Sequence, residues 1–141
     1  MKTLLISHAA VTWFLCGLIW TIQLVHYPAF ADVSREAFST FHQAHLQRIT
    51  ALVALPMLVE LVTAGLVVLI APVPRASAVV GLLLLVIIWG ATAFVQVPLH
   101  DALARGGDSA TMTRLIDTNW VRTVAWTLRG VVAGWWVFTQ R

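Results

Sequence analysis

Residues 76–98 hold a single strongly polar side chain, Gln96, in a run long enough to cross a bilayer. Three further runs, about 4–27, 49–70 and 120–138, share that character. A spanning helix needs about 20 mostly apolar residues. In hydrocarbon every backbone N–H and C=O must find a partner within its own segment or in a closed barrel. Runs of this length without period-two alternation select helices over strands. The chain is therefore predicted to be all-α, an integral membrane four-helix bundle whose short connections make neighbouring helices antiparallel.

Composition agrees. The 141 residues are 60% hydrophobic and 11% charged, against about a quarter charged in ordinary soluble domains. The mean hydropathy is +0.86. One domain over 1–141 is the natural division. The net charge of +3 comes from scattered basic residues with no run or patch, so nucleic acid is not an expected partner. Lys2 ahead of an apolar run resembles a signal peptide. The run passes Trp20 without a small-residue cleavage pattern, however, and reads as a retained helix. Cys16 is alone, so no internal disulfide is expected.

The first connection, about 28–48, is more than a loop. Pro28 ends the first helix by pushing the preceding residue out of the helical region. Asp32 or Ser34 can cap a new helix with Glu36 in its first turn. Phe38, Phe41, His45 and Ile49 recur at spacings of three and four. This predicts an additional interfacial amphipathic helix, either separate from the second span or continuous with it. Residues 71–75 form a tight turn with Pro72 and Pro74. The third connection contains Gly106 and Gly107, and Asp108 or Ser109 can cap a short helix leading into the fourth span. Pro56 is expected to kink the second helix.

An even number of spans places the first and third connections on one membrane face. His26, His42, His45, His100, Asn119 and Arg122 all reach that face, and His8 lies near the other. Lys2, Arg75 and Arg141 flank one side. Arg35, Arg48, Arg105, Arg114 and Arg122 flank the other, which slightly favours a cytoplasmic polar site. If Arg48 and Arg122 are functional, that bias disappears.

His42 and His45 are three apart and share a helix face, while His26 and His100 arrive from two other helices. Four imidazoles in a bundle form an expected metal set, His26, His42, His45 and His100, suited to copper, iron or zinc, or a place for haem. The alternative is a polar face turned to headgroups or water. Gln23 shares a face with His26, and Gln96 with His100. Each amide can orient an imidazole beside a cofactor, or simply tie helices together. Asn119, Arg122, Trp126 and Arg129 form one stripe on the fourth helix. Arg122 suits an anionic group or a carboxylate, and it can equally snorkel to headgroups. Trp126 can wall a planar ligand or pack ordinarily. Arg129 and Glu60 both lie near mid-span, where a charge is costly unless paired, and their pairing is the expected assignment. Aromatic belts account for Trp120, Trp135 and Trp136.

The segments 26–30 (HYPAF), 42–49 (HQAHLQRI), 97–100 (VPLH) and 119–123 (NWVRT) resemble a family of small bacterial four-helix membrane proteins with no established activity. A looser similarity is to the anthrone-oxygenase-like membrane family. In that family the third helix ends in a proline followed by a polar residue, and the fourth begins with a polar residue three before an arginine. Pro98, His100, Asn119 and Arg122 match that outline. The departures are His100 where that family has asparagine and Asn119 where it has histidine. The resemblance implies the four-helix fold and a bacterial inner-membrane location, and only weakly an oxygenase activity.

These readings lead to an expected membrane oxidoreductase or oxygenase-like enzyme with a histidine-rich polar site at one membrane face, acting on a lipophilic or quinone-like small molecule. His100, Asn119 and Arg122 are the expected catalytic residues. Gln23, Gln96 and Trp126 are the expected cofactor-binding residues. The cofactor's identity and the oligomeric state stay open. The competing readings are a non-enzymatic metal- or haem-binding protein for transport or sensing, and a structural accessory subunit. No nucleophilic triad, phosphate-binding glycine loop or CxxC site is present in the sequence.

Overall fold

The computed structural model describes residues 1–106 and 108–139, so Gly107 of the expected turn and Arg141 of the charge count lie outside the described residues. The helices are α1 (Lys2–Thr21), α2 (Arg35–Ile70), α3 (Arg75–Ala91), α4 (Val97–Ala104) and α5 (Ser109–Thr139). A π-turn, Ile22–His26, extends α1 and is followed by a 3₁₀ turn, Pro28–Asp32. A second π-turn, Thr92–Gln96, joins α3 to α4. The result is four long helical rods, with no strand among the described residues.

Both π-turns end two residues before a proline, Pro28 and Pro98. A proline lacks an N–H, and its ring crowds the carbonyl four residues earlier. Those carbonyls belong to Leu24 and Phe94, each inside a π-turn. The wider turn accommodates the crowding and re-phases the helix, a feature that often accompanies functional sites.

The expected helix in the first connection is the start of α2, not a separate element. α2 is capped by Ser34, whose Oγ accepts from the Ala37 N–H at 3.4 Å, and it runs continuously through Pro56 to Ile70. At the other end of the chain, Asp108 caps α5. Its Oδ1 accepts from the Thr111 N–H and hydroxyl, both at 2.9 Å. These bonds, the backbone one first, hold the Asp108 carboxyl below its ordinary range. The helix so capped is α5 itself, which carries on through the expected fourth span.

Three helical stretches are long and apolar enough to cross a membrane: Lys2–Asp32, Arg35–Ile70 and Arg75–Ala104. The fourth rod, α5, is long enough but less apolar, because it carries the polar residues that the bundle buries. Asn119, Arg122, Thr123 and Arg129 all face inward, while Val131 and Phe138 face outward. Large apolar side chains also cover the outside of the other rods, with Phe94 83% and Leu69 78% exposed. An outer surface this apolar suits contact with lipid.

Midway along the bundle the expected Glu60–Arg129 pair is present, with Arg129 Nε 3.0 Å from Glu60 Oε1 and both side chains buried. Thr12 donates to the same oxygen at 3.0 Å, and Trp126 Nε1 donates to Oε2 at 3.1 Å. Arg129 Nη1 donates to the Gly81 carbonyl. Gly81 also admits the Trp136 ring, whose Cη2 would lie 3.3 Å from an added Cβ. One ion pair thus ties α1, α2, α3 and α5 together.

Removing one partner of a buried pair leaves an uncompensated charge and costs about 3–5 kcal/mol. Glu60→Gln and Arg129→Met are each expected to lower stability by that order in detergent, measured by equilibrium unfolding. The double variant should lose less than the sum of the two, as coupled neighbours do. Additive losses would show that the two charges are not coupled.

Candidate functional site

The first π-turn, the 3₁₀ turn and the start of α2 meet α4 at one end of the bundle, and there the four expected histidines converge. His26 Nε2 and His45 Nδ1 share a hydrogen bond of 2.7 Å. His42 Nε2 and His100 Nδ1 share one of 3.1 Å. His100 Nε2 is also bonded to the Tyr27 hydroxyl at 3.0 Å. The His45 and His100 ring centroids are 5.5 Å apart, which brings the two pairs together. Phe30 is buried among them, with edge contacts to His26, His42 and His45, and Phe38 stacks flat on His42 at 5.5 Å.

The expected metal set is therefore assembled in space but paired within itself. Among the described residues no three His, Cys, Asp or Glu side chains are arranged to hold an ion. The proximity of the imidazoles and that result differ because the ring nitrogens of each pair point at one another. An ion would have to replace both imidazole–imidazole hydrogen bonds. His42 Nδ1 and His45 Nε2 remain buried without partners.

Gln23 and Gln96 do not orient the histidines. Gln23 Oε1 accepts from Asn119 Nδ2 at 2.7 Å, and Gln23 Nε2 donates to the Ile116 carbonyl at 3.1 Å. Gln96 Nε2 donates to Thr118 Oγ1 at 2.9 Å. Both glutamines lie within π-turns, and both bind α5. The simple spacings that place each amide on its histidine's face assume an uninterrupted α-helix, which the π-turns break.

Arg122 and Asn119 form one unit. Arg122 Nε and Nη2 donate to Asn119 Oδ1 at 2.9 and 2.6 Å, and Nη1 donates to Thr92 Oγ1 at 3.2 Å. Arg122 is 7% exposed, so it does not snorkel outward. Among the described residues no carboxylate lies within ion-pair distance of it. A buried cation held only by neutral acceptors is an unmet demand for negative charge.

Beside these groups lies a cavity of about 500 Å³ between the rods, mostly apolar in its walls. Its polar lining residues include Tyr27, Gln96, His100, Asp101 and Arg122, Trp89 and Thr92 line it from α3 and the second π-turn, and Trp126 is a wall residue. Trp126 also donates to Glu60, so the ion pair sits directly behind this wall. A smaller cavity of about 260 Å³ lies against His26, His45 and Arg48. His100 borders the first cavity, and His26 and His45 border the second. His8 is apart, near the opposite end, bonded to Thr63 Oγ1 at 2.9 Å and stacked on Trp136.

Sequence reasoning missed Tyr27, Phe30, Trp89, Thr92 and Thr118. Tyr27 is the single tyrosine of the chain, and it stands with Phe30 in the motif around Pro28. That motif was a readable signal. The threonines carry none.

This geometry defines a class, an all-helical bundle with an apolar, ligand-sized cavity headed by imidazole, phenol and guanidinium groups. No family model, curated protein or solved structure matches the chain.

Asn119→Leu would remove two of the three acceptor contacts of the buried Arg122 guanidinium and the shorter of the two bonds to the Gln23 carbonyl. A loss of more than about 2 kcal/mol is expected, since unsatisfied charged groups exceed the usual 1–3 kcal/mol range of neutral ones. Tyr27→Phe removes one neutral hydrogen bond and is expected to cost about 1 kcal/mol. Denaturant unfolding of the two variants side by side checks the ranking, and an equal or reversed order would refute it.

Proposed function

We propose that this chain is an integral membrane, oxidoreductase-like protein that binds a lipophilic, quinone-like molecule in the larger cavity, with the oxygen-bearing head toward Tyr27, His100 and Arg122. The observation that carries this reading is the cavity itself. Ligand sites are typically concave, largely apolar and about 300–1,000 Å³, with a few convergent polar groups that fix orientation. This one has about 500 Å³ and such a head.

The chemistry follows from the residues. Arg122 supplies a fixed positive charge where an oxyanion or carbonyl oxygen would sit, and Asn119 holds it there without neutralising it. Such pre-oriented charge in a water-poor site stabilises developing negative charge. Tyr27, His100 and His42 form a hydrogen-bonded chain that ends at His42, whose Nδ1 is buried without a partner. An imidazole can accept at one ring nitrogen while it donates from the other, which suits it to pass a proton along such a chain. The first turns of α2, about 35–48, would lie at the membrane interface and the rest of the bundle in a bacterial inner membrane. Metal and haem readings draw less support from this geometry, because the imidazoles are hydrogen-bonded to one another.

Trp89 and Trp126 line the cavity, so a bound quinone would quench them. A short-chain alkyl benzoquinone is expected to quench the fluorescence of the detergent-purified protein saturably, beyond its effect on a tryptophan ester in empty micelles. Ala54 also lines the cavity. Ala54→Phe should weaken binding about tenfold, a loss of about 1.4 kcal/mol, and Arg122→Met should do likewise. Purely linear, collisional quenching in the parent protein would sink the reading.

A further inference from the structure

The smaller cavity, of about 260 Å³, opens on the outer surface between α1 and the start of α2. Thr21, Phe41, Arg48 and Leu52 line it and are themselves exposed. It falls below the roughly 300–1,000 Å³ of an ordinary ligand pocket. Such a groove suits part of a molecule whose remainder lies outside the protein.

The lining is ordered by polarity along both rods. On α2 it runs from Phe41 through His45 and Arg48 to Leu52, in the direction of Glu60. On the other wall it runs from His26 in the first π-turn through Ile22 to Leu18, in the direction of Thr12, which bonds Glu60. The imidazoles and the guanidinium therefore stand toward the end of the bundle, and Leu18, Ile22 and Leu52 wall the part nearer its middle. The Thr21 hydroxyl is turned back to the Gly17 carbonyl at 3.0 Å. A charged head toward the end of the bundle and an apolar chain toward its middle match this order.

The sign of the head follows from Arg48. Among the described residues it has no ion-pair partner, and its exposure leaves the guanidinium within reach of a ligand. A guanidinium fork meets two oxygens of one phosphate at once. His26 is only partly buried, and its Nε2 is shared with His45, which leaves Nδ1 for a second partner. When His45 donates to that Nε2, Nδ1 carries the proton and can donate to a phosphate oxygen. A phosphate that carries its own quaternary ammonium gains less from Arg48 than one with a neutral head.

Resting on the membrane reading above, but not on the quinone reading, we infer that this groove binds an anionic phospholipid. Arg48 and His26 hold its phosphate, and one acyl chain lies along Leu18, Ile22 and Leu52. The rest of the lipid stays in the surrounding bilayer.

The test uses the full-length protein extracted in detergent. Tryptophan-to-pyrene energy transfer reads the binding of a pyrene-labelled phosphatidylglycerol. Unlabelled phosphatidylglycerol, phosphatidylcholine, oleate and inorganic phosphate then compete for the site. Phosphatidylglycerol should compete at least about fivefold better than phosphatidylcholine, the factor that one basic residue contributes beside an anionic lipid surface. Arg48→Gln should weaken phosphatidylglycerol binding about tenfold, because hydrogen bonds to charged groups exceed neutral ones. Arg35→Gln should change it little, since Arg35 is exposed on the same helix but lines neither cavity. Leu52→Trp keeps the charges, fills the chain end and should weaken both phospholipids. Equal competition by the two phospholipids, equal losses in Arg48→Gln and Arg35→Gln, or unchanged binding in Leu52→Trp would overturn the inference. Stronger competition by oleate would overturn it in favour of a carboxylate, and stronger competition by inorganic phosphate would show that the chain plays no part. Recovery of the protein from cells without detergent would overturn the membrane reading, and this inference with it.

Discussion

The buried Glu60–Arg129 pair is the constraint on which the rest of the bundle depends. A charge midway along an apolar rod is tolerated only if its partner is fixed opposite it. Here the partners and their hydrogen bonds reach all four rods through Thr12, Glu60, Gly81, Trp126 and Arg129. Between helices whose outer faces are as apolar as their contacts, the hydrophobic effect gives little preference for one helix–helix register over another. A polar cluster of this kind does, because a slip of one residue would leave a carboxylate and a guanidinium unpaired. The register of α5 against α2 follows from it, and with that register the positions of Asn119 and Arg122, about two to three turns earlier on α5.

Trp126 links this structural centre to the cavity. Its indole N–H is held by Glu60 while the residue forms part of the cavity wall. The cavity is thus built against the ion pair and its hydrogen bonds. At the other end the head groups stand on the π-turns and on the start of α2. These segments are rich in aromatic contacts, with Phe30 and Phe38 packed on the imidazoles.

The two π-turns explain how so many polar side chains find partners in an apolar bundle. Each lies just ahead of a proline, and each turns a glutamine toward α5. The histidine nearby in sequence is left to a different set of neighbours. Gln23 goes to Asn119 while His26 goes to His45; Gln96 goes to Thr118 while His100 goes to His42 and Tyr27. Prolines that would otherwise only break helices here sort the polar groups into a glutamine set bound to α5 and a histidine set bound to one another.

Much of this was legible in the order of residues. The apolar runs dictate helices because backbone groups in hydrocarbon have no other partners. The need to neutralise mid-span charges pairs Glu60 with Arg129. Even-numbered crossing brings His26, His42, His45 and His100 to one end. Each of these follows from a rule that acts on single residues or on chain direction. The sequence did not reveal the π-turns, whose effect is a rotation that residue spacing alone does not report. Nor did it reveal which imidazole bonds to which, that Arg122 has no carboxylate partner among the described residues, or that Tyr27, Trp89 and Gln96 share one cavity. Those depend on distances between rods, and only the tertiary packing decides them, because an unfilled volume between helices belongs to no single stretch of the chain.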